Sequence, residues 1–186
     1  MICANSCSAS EKHFAYLSAS QVNQVEYLSV SNCSHTTSGY YSIRLQSGNQ
    51  KVDNTNSSMN NAIQVSGIGI SSPSSFTSSH CTFSNNKVSF SKYIFFYSTS
   101  GTISMSYANI VHNNSPIIYG VVYVQGAGSR KMMYCIFKNN QNTLFCVWEG
   151  SLEVSHSFIE HSGSFSTRTA VPTSNNSFTN TITYQL

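Results

Sequence analysis

Apolar residues fall along this chain in a long, even rhythm. Taking the large apolar residue of each short run as an anchor gives Met59, Phe83, Ile110, Phe137, Ile159 and Phe178, spaced by roughly two dozen positions. His35, one such interval upstream of Met59, is a weaker member of the same column. Neighbouring positions keep step. Two residues before the anchors stand Cys33, Ser57, Cys81, Ala108, Cys135, Ser157 and Asn176, nearly all small. Seven before stand Leu28, Val52, Phe76, Ile103, Arg130, Leu152 and Val171, apolar in all but one case. Two after stand Thr37, Asn61, Asn85, His112, Asn139, His161 and Asn180, all polar. Self-similarity of this kind is the mark of stacked repeats.

Each repeat carries a second apolar run: Ile43/Leu45, Ile63/Val65, Ile94/Phe96, Val122/Val124 and Phe145/Val147. These alternate with period two, as strands with one buried face do. Gly48, Gly67, Gly101, Gly126 and Gly150 follow them and supply turns. Phe14/Tyr16 reads as the second strand of an incomplete leading turn. Units this small cannot bury an apolar face alone, so they stack at about 4.8 Å and share one core. Stacked Asn side chains can bond to one another along the axis. The expectation is an all-β fold, a parallel β-helix of about six to seven turns in a single domain spanning residues 1–186. Residues 1–24 form a partial leading turn or cap, 25–165 the clear repeats and 166–186 a weak final turn. The competing fold is a leucine-rich-repeat horseshoe, which Phe76-x-Ser78-x-x-Cys81-x-Phe83 fits loosely. Leucine is scarce, however, and a horseshoe leaves the second strand unexplained.

Composition agrees with β structure. Charged residues make up 8% of the chain, against roughly 25% in an average soluble protein. The hydrophobic fraction of 40% and the eleven Tyr and eleven Phe still set it apart from disordered chains. The net charge of +3 is scattered, with only Arg130 and Lys131 adjacent among its basic residues, so no nucleic-acid partner is expected. The longest apolar stretch, Ile117 to Val124, is interrupted by Gly120 and too short to span a bilayer. The start lacks the basic flank and apolar core of a secretory signal, which points to another route or to part of a longer chain.

Cys81-Thr-Phe83-Ser-Asn85-Asn86 returns as Cys135-Ile-Phe137-Lys-Asn139-Asn140, with Ile110 and Asn113 as a substituted copy between them. These segments resemble the Phe-x-x-Asn repeats of the polymorphic membrane proteins of chlamydiae and related surface proteins of trichomonad parasites. The companion Gly-Gly-Ala-Ile motif is absent, and Gly120-Val-Val-Tyr123 is at best a worn version of it. The resemblance is specific over residues 76–140 and follows the spacing from 25 to 165. It implies a right-handed β-helix of the pectin-lyase type and display or adhesion at a cell surface, or secretion. It brings no catalytic residues.

Polysaccharide-processing β-helix enzymes need clustered acids, and glycoside hydrolysis needs a carboxylate pair. The acids here are Asp53, Glu11, Glu26, Glu149, Glu153 and Glu160, none of them one repeat from another in the same column. No catalytic site, cofactor or metal site is therefore expected. His156, Glu160 and His161 are the one concentration of acid–base groups, with His156 and Glu160 on a shared strand face and His112 one repeat from His161. Cys33, Cys81 and Cys135 stand two turns apart, beyond bridging reach, and act as small buried hydrophobes. Cys3 and Cys7 could pair or bind metal. The sequons at Asn32, Asn56, Asn113 and Asn175 are about as many as chance supplies in so Asn- and Ser-rich a chain. Asn86, Asn113 and Asn140 read as turn-forming ladder residues. Tyr40, Tyr41, Tyr93, Tyr97, Tyr119 and Tyr123 line either a carbohydrate face or packed strands. The function expected is a non-enzymatic surface or adhesion module with a protein or glycan ligand. Its exposed strand edges allow end-to-end self-association. The alternatives are a degenerate polysaccharide lyase or hydrolase, and a gene fragment without independent function.

Overall fold

Short runs of alternating side chains build much of this molecule. In Thr102–Ser106, Ile103 and Met105 are buried and the hydroxyl residues between them face outward. The computed structural model describes residues 2–88, 92–97, 101–115, 119–160, 165–167 and 177–180. Such strands stack in parallel to form three sheets, a β-solenoid of about five turns.

Each coil passes through the sheets in a constant order. The first sheet holds Val22–Glu26, Asn49–Asp53, Ser75–Ser79, Thr102–Ser106, Ser129–Met133, Ser151–Ser155 and Ser177–Asn180. The second holds Ile2–Asn5, Leu28–Ser31, Asn56–Ser58, Thr82–Ser84, Asn109–Val111, Ile136–Lys138 and Phe158–Ile159. The third is longer-stranded and includes Ser8–Ser18, Ser34–Gln46, Val65–Ser71, Lys92–Tyr97, Val122–Gln125 and Phe145–Val147. Three sheets per coil replace the single sheet of a horseshoe, which sets the leucine-rich-repeat alternative aside.

Register fixes the core. Phe83 lies beside Ile110, Ile110 beside Phe137 and Phe137 beside Ile159. Towards the N-terminus, however, the partner of Phe83 is Ser57 and that of Ser57 is Val30. Met59 is not an anchor: it is 56% exposed, at a corner. His35 is paired with Ala9 in the third sheet, and Phe178 with Leu152 in the first. The physical reason is that the interior accepts a small Ser57 whose hydroxyl donates to the Ser66 carbonyl at 3.1 Å. Met59 thus lies two positions beyond the true anchor of its coil, Ser57, and His35 five beyond Val30.

The other columns shift accordingly. Phe76, Ile103, Arg130 and Leu152 are in register, but Gln50 and Asn23 continue the column rather than Val52 and Leu28. Cys81, Ala108, Cys135 and Ser157 are buried two residues before their anchors, whereas Cys33 stands elsewhere. In the third sheet Ile43, Ile68, Ile94, Val122 and Phe145 form one inward row, so Ile68/Ile70 replaces Ile63/Val65. Gly67 then lies within the strand Val65–Ser71 and makes no turn. In the leading strand Ala15 and Leu17, rather than Phe14 and Tyr16, align with Ile43 and Leu45. His161, Val171, Asn175 and Asn176 lie outside the described residues.

Polar members of the first-sheet column bond to the turns before them. The Asn23 amide donates to the carbonyls of Ala19, Gln46 and Ser47 at 2.9–3.2 Å. Arg130 is fully buried, and its guanidinium donates to Gly128 O at 2.5 Å and Gln125 O at 3.2 Å. Burial lowers its pKa to about 10. Gly150, at φ 84°, makes room for it, because a Cβ there would meet both the guanidinium and the Gly126 carbonyl.

The register generates a direct contrast. Phe137→Ala removes a buried ring and is expected to cost about 3–5 kcal/mol of unfolding free energy. Met59→Ala, on the surface, is expected to cost under about 0.5 kcal/mol. Denaturant titration of both variants checks this, and equal losses would contradict the register.

Candidate binding surface

Each coil bends sharply on either side of the second sheet. Both bends are single residues in the left-handed region. The bend before that sheet is Tyr27, Asn54, His80, Tyr107, Tyr134 and His156, at φ between 50° and 55°. The bend after it is Ser6, Asn32, Met59, Asn85, His112 and Asn139, at φ between 51° and 56°. The turn does not break the ladder of hydrogen bonds. Tyr107 N–H donates to Met133 O at 3.1 Å, and His112 N–H to Lys138 O at 2.9 Å.

Asparagine tolerates this backbone, so Asn32, Asn85 and Asn139 suit the second bend. The residues following that bend, Asn60, Asn86, Asn113 and Asn140, form an interior ladder. Their amides donate to the carbonyls of Val30, Ser57, Phe83 and Ile110 at 2.7–2.9 Å. Their Oδ1 atoms accept the N–H groups of Cys33, Asn60, Asn86 and Asn113 at 3.0–3.1 Å. Every coil along this ladder is thus tied to its neighbour through side chains as well as backbone. Asn113 is fully buried, so the folded chain withholds that sequon from glycosylation.

The first bend is different. Tyrosine gains nothing from the left-handed region, which costs roughly 1–2 kcal/mol, whereas histidine enters it more readily. Their rings nevertheless stack outside the coil. His80 and Tyr107 are 5.2 Å apart at 6°, Tyr107 and Tyr134 5.1 Å apart at 9°, and Tyr134 and His156 5.2 Å apart at 33°. Tyr107 is 52% and Tyr134 47% exposed. A ring pair contributes about 0.5–1.5 kcal/mol beyond its buried area, enough to offset part of the strain. The result is an exposed column of two phenols between two imidazoles. Its members occupy the position just before Cys81, Ala108, Cys135 and Ser157, a column readable in the sequence once the small residues are aligned.

The tyrosines singled out from sequence lie elsewhere. Tyr93 points into the core, where its hydroxyl donates to Asn114 O. Tyr41 and Tyr123 are buried with Phe95, Val65 and Cys146 in a small second cluster, with Tyr97, Tyr119 and Trp148 packed against it. The Tyr41 ring covers Gly69, and Arg44 lies 4.9 Å from that ring and 5.7 Å from the Tyr16 ring. The Tyr40 side chain lies outside the described residues. His156 and Glu160 are not brought together: His156 stands in the aromatic column, while Glu160 accepts the Asn139 N–H at the opposite bend, at 2.6 Å. His112 belongs to that second bend.

Two of the acids do share a column. Glu26 and Asp53 are direct register partners, because the early repeats run slightly longer than the interval between the sequence anchors. Lys51 lies between them, 3.0 Å from Asp53 and 3.6 Å from Glu26. Asp53 also accepts the N–H and hydroxyl of Ser79 at 3.0 and 2.7 Å. Partial burial alone would raise the Asp53 pKa, but the bonds from Ser79 and the Lys51 ammonium hold it below the usual carboxylate value. That favours a permanent anion, the opposite of what a general acid requires. Glu153 is engaged by Lys131 at 3.2 Å. Among the described residues no three His, Cys, Asp or Glu side chains are grouped to hold a metal. No helix among the described residues is long and apolar enough to cross a membrane.

No family model, curated protein or solved structure matches this chain.

Two outcomes follow from this geometry. Asn113→Ala strands the Phe83 carbonyl and the Asn86 N–H, and at about 1–3 kcal/mol each should cost roughly 2–6 kcal/mol by denaturant unfolding. For Asp53, a folded pKa below the unfolded value of about 3.9 stabilises the fold above that pH, an effect lost as pH falls through the folded pKa. Asp53→Asn should therefore flatten the decline in the unfolding midpoint below about pH 4, measured by acid titration beside the parent.

Proposed function

We propose that this chain is a non-enzymatic binding module of the surface or adhesion type. Its scaffold is a right-handed parallel β-helix of the pectin-lyase kind, of six to seven turns once partial coils are counted. The right-handed sense follows the strong general preference of parallel crossover connections. Its ligand is a protein or glycan met along the corner formed by His80, Tyr107, Tyr134 and His156.

The observation that carries this reading is that corner. Large amphipathic side chains stand exposed in register, on a backbone conformation that disfavours them. Strained residues held by a rigid surround are characteristic of functional positions. The rings occupy one another's faces, so the column offers ring edges, phenol hydroxyls and imidazole nitrogens at intervals of 5.1–5.2 Å. Tyrosine provides such contact area at low entropic cost, which is why binding surfaces are rich in it. The engaged state of Asp53, Glu26 and Glu153 supports a role without catalysis.

The test compares the parent chain with the Tyr107→Ala/Tyr134→Ala variant for binding to a glycan array and to intact epithelial cells. The parent is expected to bind at least one of them, and the double variant at least tenfold less. The Tyr107→Phe/Tyr134→Phe variant, which keeps the rings, separates stacking from hydroxyl contacts. Absence of binding by the parent to either surface, or an unaffected alanine variant, would overturn the reading.

A further inference from the structure

We propose that Cys7 and Cys33 form a disulfide that clamps the leading strands to the adjoining coil, making this end of the solenoid sensitive to redox conditions. Register places the two residues one above the other. Asn5 pairs with Ser31 and Ser8 with Ser34, and the same offset on both sides sets Cys7 opposite Cys33. The Ser34 N–H donates to the Cys7 carbonyl at 3.0 Å and holds the rungs together there. Adjacent rungs stand about 4.8 Å apart, inside the Cα separation of roughly 4.4–6.8 Å that a disulfide needs. Both side chains turn the same way: Cys7 Sγ lies 3.5 Å from Asn5 O, and Cys33 Sγ 3.2 Å from Ser31 O.

Cys33 also stands at the end of the asparagine ladder. Cys33 stands where later coils carry Asn60, Asn86, Asn113 and Asn140, since its N–H donates to Asn60 Oδ1. An asparagine there reaches the carbonyl of the neighbouring coil at 2.7–2.9 Å, whereas Cys33 Sγ reaches the Ala4 carbonyl only at 3.7 Å. The amide ladder therefore ends at Cys33, and two thiols take over at the junction it leaves weakest. Cys81 and Cys135 cannot pair in this way, because Ala108 separates them by two rungs.

Accessibility orders the chemistry. Cys7 is exposed and Cys33 buried. The Cys7 thiolate attacks a small-molecule disulfide and releases one small thiol. Cys33 then attacks the Cys7 sulfur of the mixed disulfide and expels the second. The two protons of the protein thiols end on the two released thiols, and the small disulfide is the oxidant that is reduced.

The experiment incubates the folded full chain with oxidised glutathione, quenches with acid and maps linkages by mass spectrometry after non-reducing digestion. The expected product is a peptide pair joining Cys7 to Cys33. The oxidised chain should also resist limited proteolysis on the N-terminal side of Cys33 at least tenfold longer than the reduced one. Cys3→Ser should keep both the link and the protection, and Cys7→Ser should lose both. A Cys3–Cys7 or Cys3–Cys33 link, a stable glutathione adduct on Cys7 without a crosslink, or a crosslink without protection would overturn the proposal.

Discussion

Parallel strands joined rung to rung hold each residue directly over its counterpart in the next coil, and everything else in this molecule is built on that constraint. A side chain at any position meets its own column rather than a unique tertiary neighbourhood. Apolar columns therefore become a continuous core, as in Phe83, Ile110 and Phe137. Polar columns become ladders, as in Asn60 through Asn140. Because each coil rests only on its neighbours, stability is close to a sum of coil and junction contributions.

The two bends show how the same backbone serves different ends. Both require left-handed residues at matching φ. The bend after the second sheet uses asparagine in three of its six coils, and it leads into the interior ladder. The bend before it uses tyrosine and histidine in all but one of its coils, with Asn54 the exception, and projects rings outward. The first arrangement holds coils together, and the second decorates the outside.

Much of this was legible in the chain. The recurrence of Cys81, Phe83 and Asn86 as Cys135, Phe137 and Asn140 conveys parallel stacking and the identity of the ladder, because those coils share one period and large anchors. The early coils were harder. Ser57 occupies an anchor position, and interior space filled by a bonded hydroxyl leaves no apolar signal. Unequal displacement of the first two coils, by five positions and by two, also hid the stacking of Glu26 on Asp53. The aromatic corner escaped for another reason: residue preference argues against tyrosine in the left-handed region, so nothing local marks it. Such conflict between local preference and global fold is concentrated where a protein has uses other than stability.

Arg130 carries an implication for how such a chain can change. Solenoids lengthen and shorten by duplication or loss of whole coils, which requires interchangeable junctions. A guanidinium inside the stack, seated against Gln125, Gly128 and a residue that must remain Gly150, makes one junction particular to its own two coils. Recombination across that seam would bury a cation against a mismatched turn. The lineage of this fold is thereby freer to grow at its other seams than at this one.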